Sequence, residues 1–296
     1  MRKKPLVSII MNCMNGQEFL NYALKSVLNQ TYKNWELIFW DNKSTDNSAK
    51  ILKSFKDKRI KYFLAKKRTV LHKARNQAIK KTKGKFIAFL DVDDMWSKNK
   101  LTLQIPKFKN KKIGLVYSNF YKYYKPGKKQ IAHISKLPKG KVTGSIIKNY
   151  KIGIITVVIR KSFINKKMPF DFKYDLISDY DFGLNFSLKY EFDVINKPLA
   201  FYRIHENQIQ KRKMVLQAEQ FCKWFLNKNI KKRFKGYDIS SIQKKYEYYE
   251  LIKELNKSKT QLYLKMLKNF NFKNFLKINA LIFFPKNLIL RLIDNV

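Results

Sequence analysis

Acidic residues of this chain concentrate in three short stretches, and carboxylates are well suited to bind metal ions and to move protons. The protein has 296 residues and a formal net charge of +43, so acids are scarce. Six of the fourteen acids in residues 1–205 lie in these stretches: Asp41, the trio Asp91, Asp93 and Asp94, and the pair Asp179 and Asp181. Their persistence in so basic a chain marks them as candidates for chemistry.

The trio follows a predicted buried strand, in the segment 89–94 (FLDVDD). Clustered hard oxygen ligands suit Mg²⁺ or Mn²⁺ held against a diphosphate. Such a metal would neutralise charge on a departing phosphate oxygen. The alternative is a cap for the following helix, to which one of the three could contribute. Three carboxylates exceed what a cap requires and repel one another, which favours the metal site.

Polar residues near these acids offer further contacts. Arg75 and Asn76 lie on a predicted helix just before the strand of the trio, where Arg75 could pair with the carboxylates or with phosphate. The alternative for Arg75 is a solvated helix face. Asp41 and Asn42 end the second predicted strand and could hydrogen-bond to the edge of a nucleobase; their alternative is an Asx-turn before the next helix. The residues alone leave both choices open.

The elements that must position these residues alternate between strands and helices. Strands are predicted over residues 6–12, 35–40, 60–64 and 86–90, and helices over about 19–28, 44–55 and 70–81. This alternation indicates an α/β fold with a doubly wound, mostly parallel sheet. Ligands bind such sheets outside the carboxyl ends of the strands, where Asn12, Asp41 and Asp91 fall. Topology alone therefore predicts a site at this edge.

The rest of the chain is less regular. Residues 120–150 are rich in Tyr and Lys and predict a loop or small hairpin suited to substrate contacts. We predict a strand over 152–159, a helix over 179–190 and one or two strands over 192–204. From about residue 206 the chain becomes helical, basic and aromatic. A main domain over 1–205 is therefore predicted, followed by a helical tail over 206–296.

Composition excludes several classes of protein. Cys13 and Cys222 are the only cysteines and lie far apart, which excludes a disulfide scaffold and a cysteine-rich zinc module. No run of about 18 apolar residues is present, so we expect no membrane-spanning helix. The apolar run 6–11 lacks a cleavage site, so we expect no signal peptide and a reducing, cytoplasmic location.

The net charge first suggests a protein that binds nucleic acid or another polyanion. The charge is spread almost evenly, however, with +30 on residues 1–205 and +13 on residues 206–296. Of the 64 basic residues 55 are Lys and nine are Arg, whereas phosphate recognition favours the bidentate Arg fork. Composition bias or general attraction to anionic membranes explains this pattern better, and polyanion binding remains the alternative function.

The acidic motifs belong to an ordered series along the first third of the chain. Its members are 7–10 (VSII), 15–16 (NG), 26–32 (SVLNQTY), 35–38 (WELI), 41–46 (DNKSTD), 74–76 (ARN) and 84–94 (GKFIAFLDVDD). The series over residues 6–96 resembles the opening of family 2 glycosyltransferases, and a fainter match runs on to about residue 205. The resemblance implies a GT-A fold and an inverting transfer of a sugar from a nucleotide-diphosphate donor.

The resemblance also implies roles in nucleotide binding. Asn12 and Met14 occupy positions that line the nucleoside, and Asp41 and Asn42 occupy the pair that contacts the base. Two of these residues depart from the family pattern. Asn42 stands where an Asp is common, which affects the nucleobase preference. Met14 stands where an aromatic residue often stacks on the base. A UDP-sugar is the expected donor.

For the diphosphate, Asp91 and Asp93 match the family's metal motif and Asp94 extends it, with Arg75 beside them in the nucleotide-sugar site. The expected cofactor is Mg²⁺ or Mn²⁺. His205, in the segment 202–205 (YRIH), looks like the histidine that approaches the metal or diphosphate. A structural histidine is the alternative for this residue.

The segment 178–182 (SDYDF) matches the region that supplies the catalytic base, with Asp179 at the base position. A carboxylate there could take the proton from an acceptor hydroxyl. Asp181 lies two residues on and faces away from Asp179 on a helix. Only one of them can point into the cleft, and we expect it to be Asp179. Ser178 replaces a frequent Glu, which leaves Asp179 dependent on other neighbours.

The resemblance thus implies a GT-A-like catalytic domain over 1–205, with a nucleotide-sugar half over 1–96 and an acceptor half over 97–205. We expect a cytoplasmic glycosyltransferase of surface polysaccharide, lipopolysaccharide or glycolipid assembly, whose acceptor is a saccharide or glycolipid. The segment 270–293 mixes Phe, Leu and Ile with lysines and could lie at the inner face of the membrane. The alternative is a tail packed on the catalytic domain.

Overall fold

The computed structural model describes residues 4–164, 169–206 and 213–257, which form one mixed sheet flanked by helices. The strands are β1 (Val7–Cys13), β2 (Trp35–Asp41), β3 (Ile60–Leu64), β4 (Phe86–Phe89), β5 (Met95–Trp96), β6 (Ile113–Lys125), β7 (Lys128–Ile131), β8 (Val158–Arg160) and β9 (Glu191–Arg203). The helices are α1 (Leu20–Leu28), α2 (Ser48–Ser54), α3 (Leu71–Ile79), α4 (Lys100–Gln104), α5 (Thr143–Lys148), α6 (Ser178–Ser187), α7 (Met214–Asn227), α8 (Ile230–Arg233) and α9 (Ser240–Lys257).

The first half of the sheet is parallel, in the order β3-β2-β1-β4. All seven residues of β1 are buried, as a strand covered on both faces requires. Pairing of Cys13 with Asp41 and of Ile10 with Phe89 makes the three central strands end at one edge. The predicted α/β fold is confirmed, and the acids that follow β2 and β4 lie along this edge.

The second half mixes strand directions. β8 runs antiparallel between β4 and β6, while β9 runs parallel to β6 and antiparallel to the short β5. Pairing of Met95 with Phe201 places the end of β9 directly beside the trio that precedes β5. The late segment 202–205 thereby reaches the acids that follow β4, although more than a hundred residues separate them.

The helices after residue 213 pack onto the sheet domain. Phe221 and Trp224 of α7 are fully buried and belong to the same apolar core as Ile10 and Ile38 of the central strands. Tyr180 of α6 contacts both α7 rings, with centroid distances of 6.0 Å and 5.6 Å. The described part of the predicted tail is therefore packed on the catalytic domain, while the segment 270–293 lies outside the described residues.

Two differences from the sequence prediction have physical causes. β6 was not predicted, since its first seven residues are buried on both faces and its last six are polar and aromatic, so no single periodicity marks it. The strand expected over 152–159 is instead irregular chain and a 3-10 helix (Ile154–Thr156), and only its last two residues belong to β8. The hairpin expected within 120–150 is confirmed as β6 and β7. Among the described residues, no helix has the length and apolar character needed to cross a bilayer.

Lys100 is the most unusual residue of the core. Its side chain is fully buried, its Nζ donates to Gln104 Oε1 at 2.7 Å, and it lies 4.2 Å from the centroid of the Trp96 ring. No carboxylate among the described residues pairs with it. Burial lowers the pKa of Lys100 well below its ordinary value, because the charged form is poorly solvated there.

This environment predicts a pH-dependent effect of Lys100→Met. Between the folded pKa and the unfolded value of about 10.4, the unfolded chain binds more protons than the folded chain. Lys100 therefore makes the free energy of unfolding rise with pH up to about 10.4. We expect the difference between Lys100→Met and wild type to favour the variant most near neutral pH and to shrink toward pH ~10.

Chemical denaturation at neutral pH and near pH ~10 measures the difference in free energy of unfolding between Lys100→Met and wild type. Lys98→Met is the matched control, since Lys98 is exposed and close in sequence, and its difference from wild type should stay constant. If the free energies of unfolding of Lys100→Met and wild type differed by the same amount at both pH values, Lys100 would be charged in the folded protein.

Candidate active site

The trio of acids forms a tight turn after β4, which we call the acid turn (residues 91–94). The backbone N–H of Asp94 donates to the carbonyl of Asp91 at 3.2 Å, which brings the three carboxylates together. Like charges at such close range need cations or hydrogen-bond donors nearby. The surrounding elements α3 and β9 supply them.

Arg75 of α3 pairs with the first carboxylate of the acid turn. Its Nη2 lies 2.6 Å from Asp91 Oδ1, and its side chain is 2% exposed. Arg75 is therefore not on a solvated helix face. Burial raises the pKa of Asp91, the guanidinium of Arg75 opposes this rise, and the nearby charge of Asp93 adds to it.

A buried chain of contacts holds Arg75 in place. His72, one turn earlier on α3, lies with its Nε2 3.0 Å from Arg75 Nη1 and its Nδ1 3.2 Å from Asp175 Oδ1. Because a guanidinium can only donate, Nε2 must accept, so His72 is neutral with its proton on Nδ1. That proton is donated to Asp175, which also accepts from the His72 backbone N–H at 2.7 Å. Asp175 and His72 thus fix the position of Arg75.

The second carboxylate meets the end of β9. Asp93 Oδ2 lies 3.1 Å from His205 Nε2, and the Asp93 carbonyl accepts from Arg203 Nε at 2.8 Å. His205 Nδ1 is buried and has no hydrogen-bond partner among the described residues. The ring of Phe19 packs against His205 at 5.0 Å. The structure therefore brings together Asp93 and His205, which the sequence placed in one site.

The third carboxylate, Asp94, points into the protein and is 1% exposed. Its Oδ1 accepts from the Arg203 backbone N–H at 2.8 Å, while its Oδ2 is buried without a hydrogen-bond partner among the described residues. Burial and the charges of Asp93 and Asp91 raise the pKa of Asp94 well above its ordinary value. Asp94 thus ties the acid turn to β9 and leaves one oxygen atom for a ligand.

The donor set at the acid turn fits a small hard cation, since it offers carboxylate oxygens and an imidazole, with Asp94 Oδ2 lacking a partner. Within the described residues, no group of three His, Cys, Asp or Glu side chains is arranged to hold a metal ion. In proteins that bind Mg²⁺ beside a nucleotide, one or two carboxylates act together with substrate phosphates. The protein ligands alone are not expected to complete the site.

At the ends of β1 and β2, Asn12 and Met14 border the same edge of the sheet. Both amide atoms of Asn12 are buried without a hydrogen-bond partner among the described residues, which is costly unless a ligand satisfies them. Met14 is 39% exposed just beyond β1. An orphaned amide beside an exposed apolar side chain suits the polar edge and the flat face of a bound base.

Asp41 and Asn42 are both buried and already bonded within the protein. Asp41 accepts from the backbone N–H of Ser44, three residues on, at 2.7 Å and from the Tyr62 hydroxyl at 2.9 Å, so the bond differs from the Asx-turn considered as its alternative. The amide of Asn42 bonds at both ends to the main chain of Thr69. Both side chains form part of the wall of the cleft. A nucleobase would have to hydrogen-bond to their remaining lone pairs or to the remaining N–H of Asn42.

The two acids of α6, Asp179 and Asp181, lie on different sides of the helix, as the helical geometry predicts. Asp181 is 4% exposed and accepts from Trp224 Nε1 at 2.7 Å, from Asn185 Nδ2 at 2.9 Å and from Arg233 at 3.1 Å. It therefore anchors α7 and α8 to α6. Asp179, on the other side of the helix, is partly exposed, and its Oδ1 accepts from the Tyr180 backbone N–H at 2.8 Å.

Tyr202 of β9 directly precedes Arg203, which bonds to the acid turn. Burial is the main cause that raises the pKa of Tyr202, and the charges of four carboxylates raise it further. In order of effect these are Asp94, Asp93, Asp91 and Asp179. The segment that leads into α6 is joined to the acid turn by contacts, since Asp175 bonds to His72 and His72 bonds to Arg75, the partner of Asp91.

Tyr150 and Lys245, both outside α6, contact its first turn. The Tyr150 hydroxyl donates to the Asp179 carbonyl at 3.1 Å, and burial together with the Asp179 charge raises the pKa of Tyr150. Lys245 of α9 lies with its Nζ between the rings of Tyr180, at 4.9 Å, and Phe221, at 5.2 Å. Burial lowers the pKa of Lys245 and the Asp179 charge opposes this. Helix α9 therefore packs Lys245 against the aromatic residues of α6 and α7.

Sequence reasoning missed His72, Asp175, Arg203, Tyr150 and Lys245. His72 carried a usable signal, since it precedes Arg75 by three residues and shares its helix face. Asp175 carried none, because 103 residues separate it from His72 and a single acid in a loop has no pattern.

The buried contacts of Asp175 predict a clear stability effect. Asp175→Ala leaves the backbone and ring N–H groups of His72 without an acceptor and should lower the free energy of unfolding by about 3 kcal/mol. Asp171→Ala is the matched control on the same segment, because Asp171 forms a more exposed pair with Lys228 and should cost about 1 kcal/mol or less. Urea denaturation measures both, and equal losses would contradict the assigned role of Asp175.

The comparisons with known proteins agree with this geometry. The family model described as "Glycosyl transferase family 2" matches residues 8–171 of this chain. A UDP-Glc:alpha-D-GlcNAc-diphosphoundecaprenol beta-1,3-glucosyltransferase of Escherichia coli, WfgD, is 34% identical over 210 residues, which cover 70% of this chain and 81% of that protein.

Two solved structures share the fold. One is the mannosyltransferase PcManGT from Pyrobaculum calidifontis in complex with GDP-Man and Mn²⁺, with a TM-score of 0.61 and 13% sequence identity. The match covers 97% of this chain and 82% of the PcManGT chain. The other is TarS 1-349 of S. aureus in complex with UDP, with a TM-score of 0.57 and 17% sequence identity. The match covers 82% of this chain and 70% of the TarS chain. The fold is thus that of the GT-A glycosyltransferases. The chain belongs to glycosyl transferase family 2, and it is a glycosyltransferase.

Proposed function

We propose that this enzyme transfers a hexose from a UDP-sugar, with inversion, to a hydroxyl group of a lipid-linked saccharide in the synthesis of a surface polysaccharide. The observation that carries the proposal is the acid turn, where Arg75 pairs with Asp91 and His205 contacts Asp93. The segment that leads into α6 is joined to this turn, because Asp175 contacts His72 and His72 contacts Arg75. Asp181 instead bonds to Trp224 and Arg233. The name of WfgD supports the choice of a UDP-sugar donor and a diphosphate-linked lipid acceptor. No comparison favours the polyanion-binding alternative.

Asp179 is the proposed general base. Its Oδ2 makes no hydrogen bond to any described residue, so it is available to an acceptor hydroxyl. As the acceptor oxygen bonds to the anomeric carbon, Asp179 takes the hydroxyl proton, and the bond between that carbon and the diphosphate oxygen breaks. Attack from the face opposite the leaving group inverts the anomeric centre. A positioned base of this kind contributes about 10²–10⁴ in rate.

The acid turn is proposed to receive the leaving diphosphate. Asp93, Asp91 and Asp94, with His205, would hold Mg²⁺ or Mn²⁺, which when bound neutralises the charge that develops on the diphosphate. Arg75 keeps Asp91 in position through its 2.6 Å contact. The contact between His205 and Asp93 orients the carboxylate most exposed to the cleft.

The nucleoside is proposed to lie along the ends of β1 and β2. The unpaired amide of Asn12 would bond to it, Met14 would cover its face, and Asp41 and Asn42 would form the wall behind the base. A lipid-linked acceptor would place the enzyme at the inner face of the plasma membrane, on the cytoplasmic side.

Asp179→Asn tests the assignment of the base. The amide keeps the shape of the side chain and its contact to Tyr180 but cannot take a proton, so kcat should fall by about 10²–10⁴ while UDP binding is unchanged. Transfer from a UDP-hexose to a lipid-diphosphate saccharide, followed with a radiolabelled sugar, measures kcat.

The matched control is Asp181→Asn. This variant should lose stability, because it weakens contacts to Trp224 and Arg233, yet it should retain kcat within about threefold at a temperature where it is folded. A folded Asp181→Asn variant without activity, beside an active Asp179→Asn variant, would reverse the assignment.

A further inference from the structure

The β6–β7 hairpin and the loop after it, together called the basic hairpin (residues 121–136), project from the edge of the fold. β7 pairs with β6 and with no other strand of the described residues, and residues 124–131 are all exposed. The site described above uses none of the hairpin's lysines, although the Tyr123 ring lies 5.0 Å from the guanidinium of Arg203. An exposed hairpin of this length calls for an explanation of what it contacts.

The charge on the basic hairpin is of one sign. The sequence holds no Asp or Glu between Asp94 and Asp171, whereas nineteen Lys and Arg residues lie in that interval. The hairpin itself carries the lysines Lys122, Lys125, Lys128, Lys129 and Lys136. No local carboxylate therefore offsets the attraction of the basic hairpin to an anionic surface.

Apolar side chains stand among these lysines. Ile134 is 98% exposed, Ile131 is 44% exposed and Tyr124 is 39% exposed. Aliphatic groups gain nothing from a phosphate backbone, but they gain free energy on entering the boundary between lipid headgroups and acyl chains. Lysines combined with exposed Ile and Tyr are the pattern of a surface that lies on anionic lipid. We propose that the basic hairpin docks on an anionic bilayer.

Aromatic contacts at the base of the hairpin fix it to the enzyme. Tyr121 stacks on Phe201 of β9 with a centroid distance of 5.2 Å, and Tyr123 meets the same ring edge-on at 6.2 Å. Lys129 Nζ covers the Tyr121 ring at 4.6 Å. These contacts hold the base of the hairpin, so docking of its tip orients the whole domain.

The base of the hairpin adjoins the acid turn. The Tyr123 carbonyl accepts from the Ile204 backbone N–H at 2.8 Å, one residue before His205. The turn at Gly127 lies about four strand residues further out, which corresponds to about 13 Å. If the proposed function holds, the docked enzyme presents its acid turn about this far above the lipid surface, within reach of a saccharide carried on a lipid diphosphate. The docking itself does not depend on that function.

Vesicle co-sedimentation of the full chain tests the docking. The probes are vesicles of phosphatidylglycerol and phosphatidylcholine, with pure phosphatidylcholine as the neutral comparison. The hairpin variant replaces Lys122, Lys125, Lys128 and Lys129 with Gln. Since a lysine near an anionic membrane surface contributes about fivefold in affinity, we expect binding to weaken at least tenfold.

The matched control replaces four exposed lysines around α2 (Lys50, Lys53, Lys56 and Lys58) with Gln, on the far side of the sheet. It loses the same charge and should bind within about threefold of wild type. A second variant, Ile131→Ser with Ile134→Ser, keeps every charge and should weaken the binding that persists at high salt. Circular dichroism and stabilisation by UDP check that each variant is folded.

Two outcomes would overturn the proposal. Equal losses in the hairpin and control variants would show that net charge alone attracts the protein. Unchanged vesicle binding of the Ser variant, together with a parallel loss of heparin binding in the Gln variant, would assign the hairpin to a polyanion instead. Failure of transfer activity with intact vesicle binding would count against the proposed function and leave the docking in place.

Discussion

Three carboxylates within four residues repel one another, and the arrangement of this enzyme follows from the groups that relieve this repulsion. Arg75 pairs with Asp91, and His205 contacts the Asp93 carboxylate. Arg203 donates from its side chain to the Asp93 carbonyl and from its backbone N–H to the Asp94 carboxylate. These partners come from α3 and from the end of β9. The site therefore forms only when both halves of the sheet are assembled around the end of β4.

The sheet topology explains how one site draws on such distant segments. The parallel half aligns the ends of β1, β2 and β4, and the antiparallel pairing of β5 with β9 returns the chain to the acid turn. The helices after residue 213 complete the arrangement, because Asp181 bonds to Trp224 and Lys245 packs on the Tyr180 ring of α6. The neutral imidazole of His72 and the buried Asp175 then stabilise Arg75 from behind the site.

The sequence was sufficient for the first half of the fold and for the acids of the site. Short apolar runs, separated by segments with helical periodicity, predicted the ends of β1 to β4 to within about two residues. The acids of the site could be recognised because the chain is otherwise so basic. β6 escaped prediction since its burial changes along its length. The partners of Asp181 and His72 could not be predicted, because Trp224 and Asp175 approach them only through tertiary packing. The roles assigned to Asn12, Met14, Asp41 and Asn42 stay predictions.

A thermal-shift titration of the wild-type protein tests the central claim most directly, that the acid turn holds a divalent cation only together with a nucleotide diphosphate. A ligand that binds only the folded state raises Tm by mass action. The account predicts that UDP with Mn²⁺ raises Tm by more than the sum of the shifts with UDP alone and Mn²⁺ alone, and by more than GDP, CDP or dTDP with Mn²⁺. An equal shift by UDP in the presence and absence of Mn²⁺ would contradict it.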